Sequence, residues 1–303
     1  MLAAAVVGTT VEFYDFFIFA TAAALVFGPL FFAGAPKEWQ TLFSFMTFGV
    51  AFFARPVGAI AFGHFGDRVG RKSTLVAALM VMGGSTLLIG LLPTYGDVGW
   101  VAPALLCLLR FGQGFGLGGE WGGAALLAVE NAPPGWHTRF GAAPQLGAPL
   151  GYAAANGLFL VMALTMSGGD FAAWGWRIPF LASAVLVALG LWVRLRIGET
   201  PQFRAALERA APPPVPLARL LGSMPGSVLA GSAGVIATFA AFYLTTAFAL
   251  AQATGKLGYA KDTFLGVQLF ADLFFLGGIV TAAVWSDRTS PGRLLAIGAL
   301  GTA

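Results

Sequence analysis

The sequence predicts an all-α, polytopic membrane protein, and three observations carry that prediction. Hydrophobic residues make up 58% of the 303-residue chain and charged residues only 10%, against about 25% charge in an ordinary soluble domain. The apolar residues gather into runs of about 20, each long enough to cross a hydrocarbon core of about 30 Å. Lys and Arg collect in alternate loops between those runs, the pattern of the positive-inside rule. The bilayer is therefore the main solvent for most of these side chains.

The first run covers about Leu2–Phe32. It carries Glu12 and Asp15 and lacks a basic leading segment, so it reads as a span and not as a cleaved leader. The following spans are about Trp39–Phe62, Ser73–Leu92, Trp100–Val129, Phe140–Met166 and Ile178–Leu195. A polar, proline-rich stretch, Arg196–Ser223, comes next. Pro212, Pro213 and Pro214 cannot continue a helix, while Pro201–Ala211 can form a short amphipathic one. Two further spans cover about Val228–Ala251 and Thr263–Trp285, and a ninth begins at Leu294. That last run is roughly 15 Å of helix, half of what a bilayer needs, and reads as part of a longer protein. The division expected is a six-helix transmembrane bundle over 1–195, a cytoplasmic linker over 196–225 and a partial second bundle of about two and a half helices over 226–303.

One set of loops holds Arg68, Arg71 and Lys72; Arg139; Arg196, Arg204, Arg209 and Arg219; Arg288 and Arg293. The opposite set holds Lys37, Arg177, Lys256 and Lys261. The first set faces the cytoplasm on this count, which puts the N-terminus inside and the protein in the inner membrane. The modest formal charge of +4 follows from those topology loops, so no nucleic-acid partner is expected.

Gly63-His64-Phe65-Gly66-Asp67-Arg68-Val69-Gly70-Arg71-Lys72 forms a charged hinge between two apolar runs. A weaker copy, Ser286-Asp287-Arg288-Thr289-Ser290-Pro291-Gly292-Arg293, follows about 220 residues later. A hinge repeated at that distance predicts two similar halves. Asp67 is placed to accept from backbone N–H groups at a helix start. The basic residues bind acidic partners or headgroups, or simply anchor topology. Gly63, Gly66 and Gly70 argue for the former, since topology alone needs no tight backbone.

Ionisable groups inside spans are expensive and are functional candidates by default. Glu12 and Asp15 share one broad face of the first span. Arg55 precedes Pro56 in the second and reads as a side chain that snorkels to the inner surface. The fourth holds Arg110, Gln113 and Glu120, and the eighth holds Asp272. Asp15 and Arg110 both fall near mid-bilayer. Desolvation favours the neutral form of a carboxylate and a guanidinium favours the charged one. A carboxylate between those influences can take and release a proton; the plainer alternative is a structural pair. Glu12 and Glu120 are candidates for substrate contact, a second proton or a helix–helix bond.

Gly114, Gly118 and Gly122 form a smooth stripe for close helix approach. Gly147-Ala148-Pro149-Leu150-Gly151 is expected to kink the fifth span, where Gln145 and Asn156 are expected to face a cavity. Cys107 is the only cysteine, so neither an intrachain disulfide nor a Cys-based metal site is expected. His64 and His137 stand apart, and no cofactor is implied. There is no His-Glu-x-x-His, Gly-x-Ser-x-Gly or Asp-rich cluster, so an enzyme is not expected.

The hinge at 63–72 resembles the signature loop of the major facilitator superfamily, and Arg110-Phe111-Gly112-Gln113-Gly114 resembles its fourth-helix signature. Val11-Glu12-Phe13-Tyr14-Asp15-Phe16-Phe17, Gly118-Gly119-Glu120-Trp121-Gly122-Gly123 and Trp174-Gly175-Trp176-Arg177-Ile178-Pro179-Phe180 are similar to its metabolite:proton symporter family. The resemblance implies two six-helix bundles, a substrate site between them at mid-membrane and alternating access. It further implies that Asp15, which follows Tyr14, and Arg110 form a proton-sensitive pair. Glu130 with Arg139, and Glu199-Thr200-Pro201 with Arg204, resemble the superfamily's cytoplasmic charge network. The expected function is proton-coupled symport of a small polar metabolite, an organic acid or a zwitterion. An efflux antiporter of the same fold, or a non-transporting fragment, is the alternative. The second hinge has Ala283 where the first has Gly63, and helices ten to twelve have no counterpart in the sequence.

Overall fold

A computed structural model describes residues 2–69, 71–118, 128–129, 132–196, 222–286, 288–289 and 291–302. Gly70, Glu120, Glu130, Glu199, Arg204 and Asp287 lie outside the described residues, as do the side chains of Asp67, Arg68, Arg71 and Lys72. Among the described residues every regular element is a helix, and seven helices are long and apolar enough to cross a membrane.

The first span is α1 (Leu2–Ala22), a π turn at Ala23–Phe27 and α2 (Gly28–Phe31). Pro29 lies in the first turn of α2. It has no N–H for the preceding turn, and the chain widens into a π turn just before it. Next comes α3 (Lys37–Val69), followed by α4 (Arg71–Gly90). A loop was expected over 63–72; instead both helices run almost to each other. Hydropathy marks where a helix leaves the hydrocarbon, not where its hydrogen-bond ladder stops.

A short helix, α5 (Tyr95–Val98), is held by a capping box. The Thr94 N–H and hydroxyl both donate to Asp97 Oδ2, at 2.8 Å each. Those two bonds hold the Asp97 carboxyl below the usual carboxylate range. The fourth span, α6 (Val101–Gly118), follows.

The fifth span begins with α7 (His137–Ala142), passes through a 3-10 turn at Ala143–Leu146 and continues as α8 (Gly147–Thr165). The irregularity expected at Pro149 sits earlier, at Pro144 in the 3-10 turn. Pro149 falls in the first turn of α8, where a missing N–H costs least. After α9 (Gly168–Ala173) and a 3-10 turn at Gly175–Arg177 comes α10 (Ile178–Arg196). Arg177 donates to the Gly90 and Leu92 carbonyls at 3.0 and 2.6 Å, covering the open end of α4.

The later part holds α11 (Pro225–Tyr243), a second π turn at Leu244–Phe248, α12 (Ala249–Gly255), α13 (Lys261–Ser286) and α14 (Pro291–Thr302). The first span is central and mostly buried inside the protein, whereas α13 is largely exposed along its length. Helix α1 packs on α8 and α10, while α6 packs on α3 and α4, and α13 lies along α8. Two glycine contacts set these distances. A Cβ at Gly114 would run into the Ala51 backbone, and one at Gly151 would sit 2.7 Å from the Tyr14 nitrogen. Aromatic rings fill the centre, with Phe27 edge-on to Trp176 and Phe17 edge-on to Tyr152.

Candidate functional site

Where α1, α3, α4 and α6 meet, the structure gathers polar groups that an apolar interior would exclude unless they were bonded. Asp15 is 2% exposed, Arg110 1% and Thr86 0%. Arg110 and Gln113 are three residues apart on α6, hence on one face. An Arg110 guanidinium nitrogen donates to Gln113 Oε1 at 2.9 Å. Gln113 Nε2 donates to Thr86 Oγ1 at 2.7 Å. The Thr86 hydroxyl in turn reaches Asp15 Oδ2 at 2.8 Å. The two ends expected to pair are therefore joined through an amide and a hydroxyl.

Thr86 has one proton and two acceptors, Asp15 Oδ2 and the Met82 carbonyl at 3.0 Å. It can serve only one at a time. A carboxylate is the stronger acceptor, so an ionised Asp15 holds the hydroxyl.

Arg110 lies in an aromatic box. Its guanidinium carbon is 4.0 Å from the centre of the Phe19 ring, 4.8 Å from Phe48 and 5.2 Å from Phe16. Arg55, expected to reach for the membrane surface, turns inward instead. Its guanidinium stands 5.1 Å from the Phe52 ring and 5.2 Å from that of Phe16. Two cations thus share one ring. The inward turn follows from position: Arg55 sits mid-helix in α3, within reach of the Phe16 ring on α1 and of the Phe52 ring one turn back on its own helix. Arg110 Nε and Nη2, Arg55 Nε and Asp15 Oδ1 are buried and have no hydrogen-bond partner among the described residues. These are donor and acceptor sites left for something else.

A narrow, partly open crevice, with room for no more than about one water-sized group, lies beside this cluster. Phe17, Thr21, Tyr152, Asn156, Tyr243 and Gln268 line it, so both the early and the late spans contribute. Thr21 donates to Asn156 Oδ1 at 2.6 Å. Tyr243 connects cavity and cluster, with its ring 5.5 Å from those of Phe16 and Phe52.

The other sequence candidates divide. Glu12 is buried within α1 near the cluster. Asn156 is on the cavity wall. Gln145 falls in the 3-10 turn and is not on the cavity wall. Tyr14 is turned away, donating to the Pro179 carbonyl on α10 at 2.9 Å; its hydroxyl fastens two helices. Asp272 is half-buried one turn beyond Gln268 on α13, close enough to Tyr152 to act on it electrostatically. Of the hinge residues, Gly63 has open space where a Cβ would go. The Arg139 guanidinium stacks 4.6 Å from the Trp136 ring, and Arg288 and Arg293 are exposed. No cluster of metal-ligating side chains occurs among the described residues.

Thr86, Phe16, Tyr243 and Gln268 escaped the sequence reading. A threonine or an aromatic in an apolar span gives no signal by itself. Gln268 did give one, since a lone amide in an apolar run has to find a partner.

The comparisons with known proteins agree with this architecture. The profile of the family described as Sugar (and other) transporter matches residues 1–211. The inner membrane metabolite transport protein YhjE of Escherichia coli K12 is 46% identical over 291 residues, 95% of this chain and 66% of its own length. The shikimate transporter of the same organism is 40% identical over 295 residues, 97% of this chain and 67% of its own. The crystal structure of a D-xylose-proton symporter superposes with a TM-score of 0.72 at 16% identity, over 95% of this chain and 68% of that one. The chain spans about two thirds of the length of these relatives. An all-helical, multi-pass chain with a polar cluster buried at its centre, matched by this family over most of its length, belongs to the sugar (and other) transporters of the major facilitator superfamily, which are carriers and not enzymes.

Proposed function

We propose that this chain is the substrate- and proton-handling portion of a secondary active carrier that takes up a small polar metabolite together with protons. The metabolite is an organic acid or a zwitterion. The observation that carries this reading is the buried series Arg110–Gln113–Thr86–Asp15. Its parts make a proton-responsive switch. With Asp15 ionised, Thr86 donates to it, and the charges of Glu12 and Asp15 balance those of Arg55 and Arg110. A proton on Asp15 frees the Thr86 hydroxyl for the Met82 carbonyl and leaves an excess positive charge beside the unpartnered Arg110 nitrogens. An anionic group then binds more favourably. Proton and anion binding become linked, and linkage of that sign is symport.

Names among the relatives point the same way: a shikimate transporter, a proline/betaine transporter and a D-xylose-proton symporter. The rest of the reading follows the sequence. Residues 1–195 and 226–303 belong to two bundles that rock about the site, joined by a cytoplasmic linker at 196–225. The N-terminus is cytoplasmic and the protein sits in the inner membrane. Gly63, Asp67, Arg68, Gly70, Arg71 and Lys72, the pair Glu130 and Arg139, the pair Glu199 and Arg204, and Asp287, Arg288 and Arg293 make the cytoplasmic latch.

In proteoliposomes with an imposed pH gradient, Asp15→Asn is expected to abolish accumulation while leaving exchange of labelled for unlabelled substrate. Accumulation at the wild-type level in that variant overturns the assignment of Asp15. Substrate driven out by inward proton flow makes the carrier an antiporter.

A further inference from the structure

The second π turn and the residue that clasps it point to what the far end of the substrate must carry. Gln268 on α13 is 7% exposed. Its Nε2 donates to the carbonyls of Thr245 and Thr246, at 3.2 and 2.8 Å, within the turn Leu244–Phe248. A π turn shifts the regular helical ladder, which lets its carbonyls turn toward a donor on a neighbouring helix. The Thr246 hydroxyl bonds back to the Phe242 carbonyl at 2.7 Å, and the Ala249 N–H also donates to the Thr246 carbonyl, so the Gln268 amide is a second donor to that oxygen and ties α13 to the turn.

This bonding decides the orientation of the amide. Only the NH2 end can donate, so Nε2 faces the turn and Oε1 is the polar atom that remains. Oε1 is buried and has no hydrogen-bond partner among the described residues. Gln268 also lines the cavity, together with Thr21, Tyr152, Asn156 and Tyr243. A rotation that offered an N–H to the cavity would give up both bonds to the turn and set Oε1 against two carbonyl oxygens. The residue is thus held as an acceptor, and an acceptor in a confined wall calls for a donor.

We infer that Gln268 is a specificity-determining residue that accepts a hydrogen bond from a hydroxyl or N–H group of the substrate. Resting on the carrier reading above, this narrows the class: the substrate is an acid that also bears a hydrogen-bond donor, with its carboxylate toward Arg110 and Arg55. Quaternary ammonium acids, which have no donor, are poor ligands. A site built around a donor rejects analogues that lack it more sharply than a hydrophobic pocket separates two alkyl groups.

Matched ligand pairs test this on the purified protein by thermal stabilisation, which reports binding to the folded form without requiring transport. One pair is shikimate and cyclohex-1-ene-1-carboxylate, which differ in the ring hydroxyls. The other is proline and N,N-dimethylproline, which differ in the N–H. In at least one pair the donor-bearing acid is expected to stabilise at a tenfold or more lower concentration than its partner. In Gln268→Met that ratio is expected to fall to about one while the donor-lacking acid keeps its effect. Equal response within both pairs, no response to any of the four, or discrimination that survives Gln268→Met overturns the inference. Should Gln268→Met fail to fold, the wild-type comparison decides alone. Asp15→Asn separates this from the coupling reading: it is expected to remove pH-driven accumulation and leave the donor preference untouched.

Discussion

At the scale of the residue, the site turns on one hydroxyl. Thr86 bonds a buried carboxylate and receives the amide of Gln113. A hydrogen bond to a charged group is worth about 1.5–3 kcal/mol, roughly tenfold or more in an equilibrium. Thr86→Val keeps the shape and removes the bond. It is expected to cut pH-driven uptake at least tenfold, while Thr86→Ser stays within about twofold; equal uptake by the two variants would show that the hydroxyl is idle. Arg110→Lys keeps the charge but loses the planar fork that faces Phe19, Phe48 and Gln113. Its uptake is expected to stay below a tenth of wild type, measured at equal protein in the membrane. Asp15 and Arg110 were legible in the sequence because lipid makes ionisable groups conspicuous. Thr86 was not, because a threonine in an apolar helix ordinarily bonds its own backbone, and which one reaches across to a carboxylate depends on how α4 is rotated against α1.

At the scale of the element, helix contacts rest on small residues and helix ends on local caps. Gly114 on α6 faces the Ala51 backbone on α3, whereas Gly84 on α4 has open space where a Cβ would go. Gly114→Val is therefore expected to lower the melting temperature clearly, since forced overpacking costs about 1–3 kcal/mol. Gly84→Ala is expected to leave it unchanged. A similar loss in both variants would mean that the close approach at Gly114 does not set the cost. The α5 cap gives a pH prediction. The Thr94 bonds lower the Asp97 carboxyl in the folded chain. The stability it adds is present above the ordinary carboxylate range and is lost as the pH falls through the lowered value. Amide exchange at Thr94, read across an acid titration, is expected to quicken there, and Asp97→Asn is expected to flatten that dependence.

At the scale of the whole molecule, the alternation of loops makes a topology that labelling can check. With Cys107→Ser as background, a cysteine at His137 is expected to react with an impermeant maleimide only from the cytoplasmic side. One at Lys256 is expected to react only from the other. Reversal of both would invert the orientation drawn from the Lys and Arg count. The burial pattern sets a further expectation. Phe16 touches Arg55, Arg110 and Tyr243 at once, so the early and late spans meet at the site itself. Any motion of the late spans relative to α1 changes the walls around both cations.

By itself the sequence determined the all-helical class, the order of the spans and the presence of charge within them. These are local quantities: a stretch is apolar or it is not, and a carboxylate within it is unmistakable. Tertiary structure alone decided which polar groups meet. It joined Asp15 to Arg110 through Thr86 and Gln113, turned Arg55 inward onto Phe16, took Tyr14 away to Pro179, and pinned Gln268 against a π turn. Each of those outcomes depends on the rotation and spacing of helices far apart in the chain, set by ring packing and glycine contacts that no single span encodes.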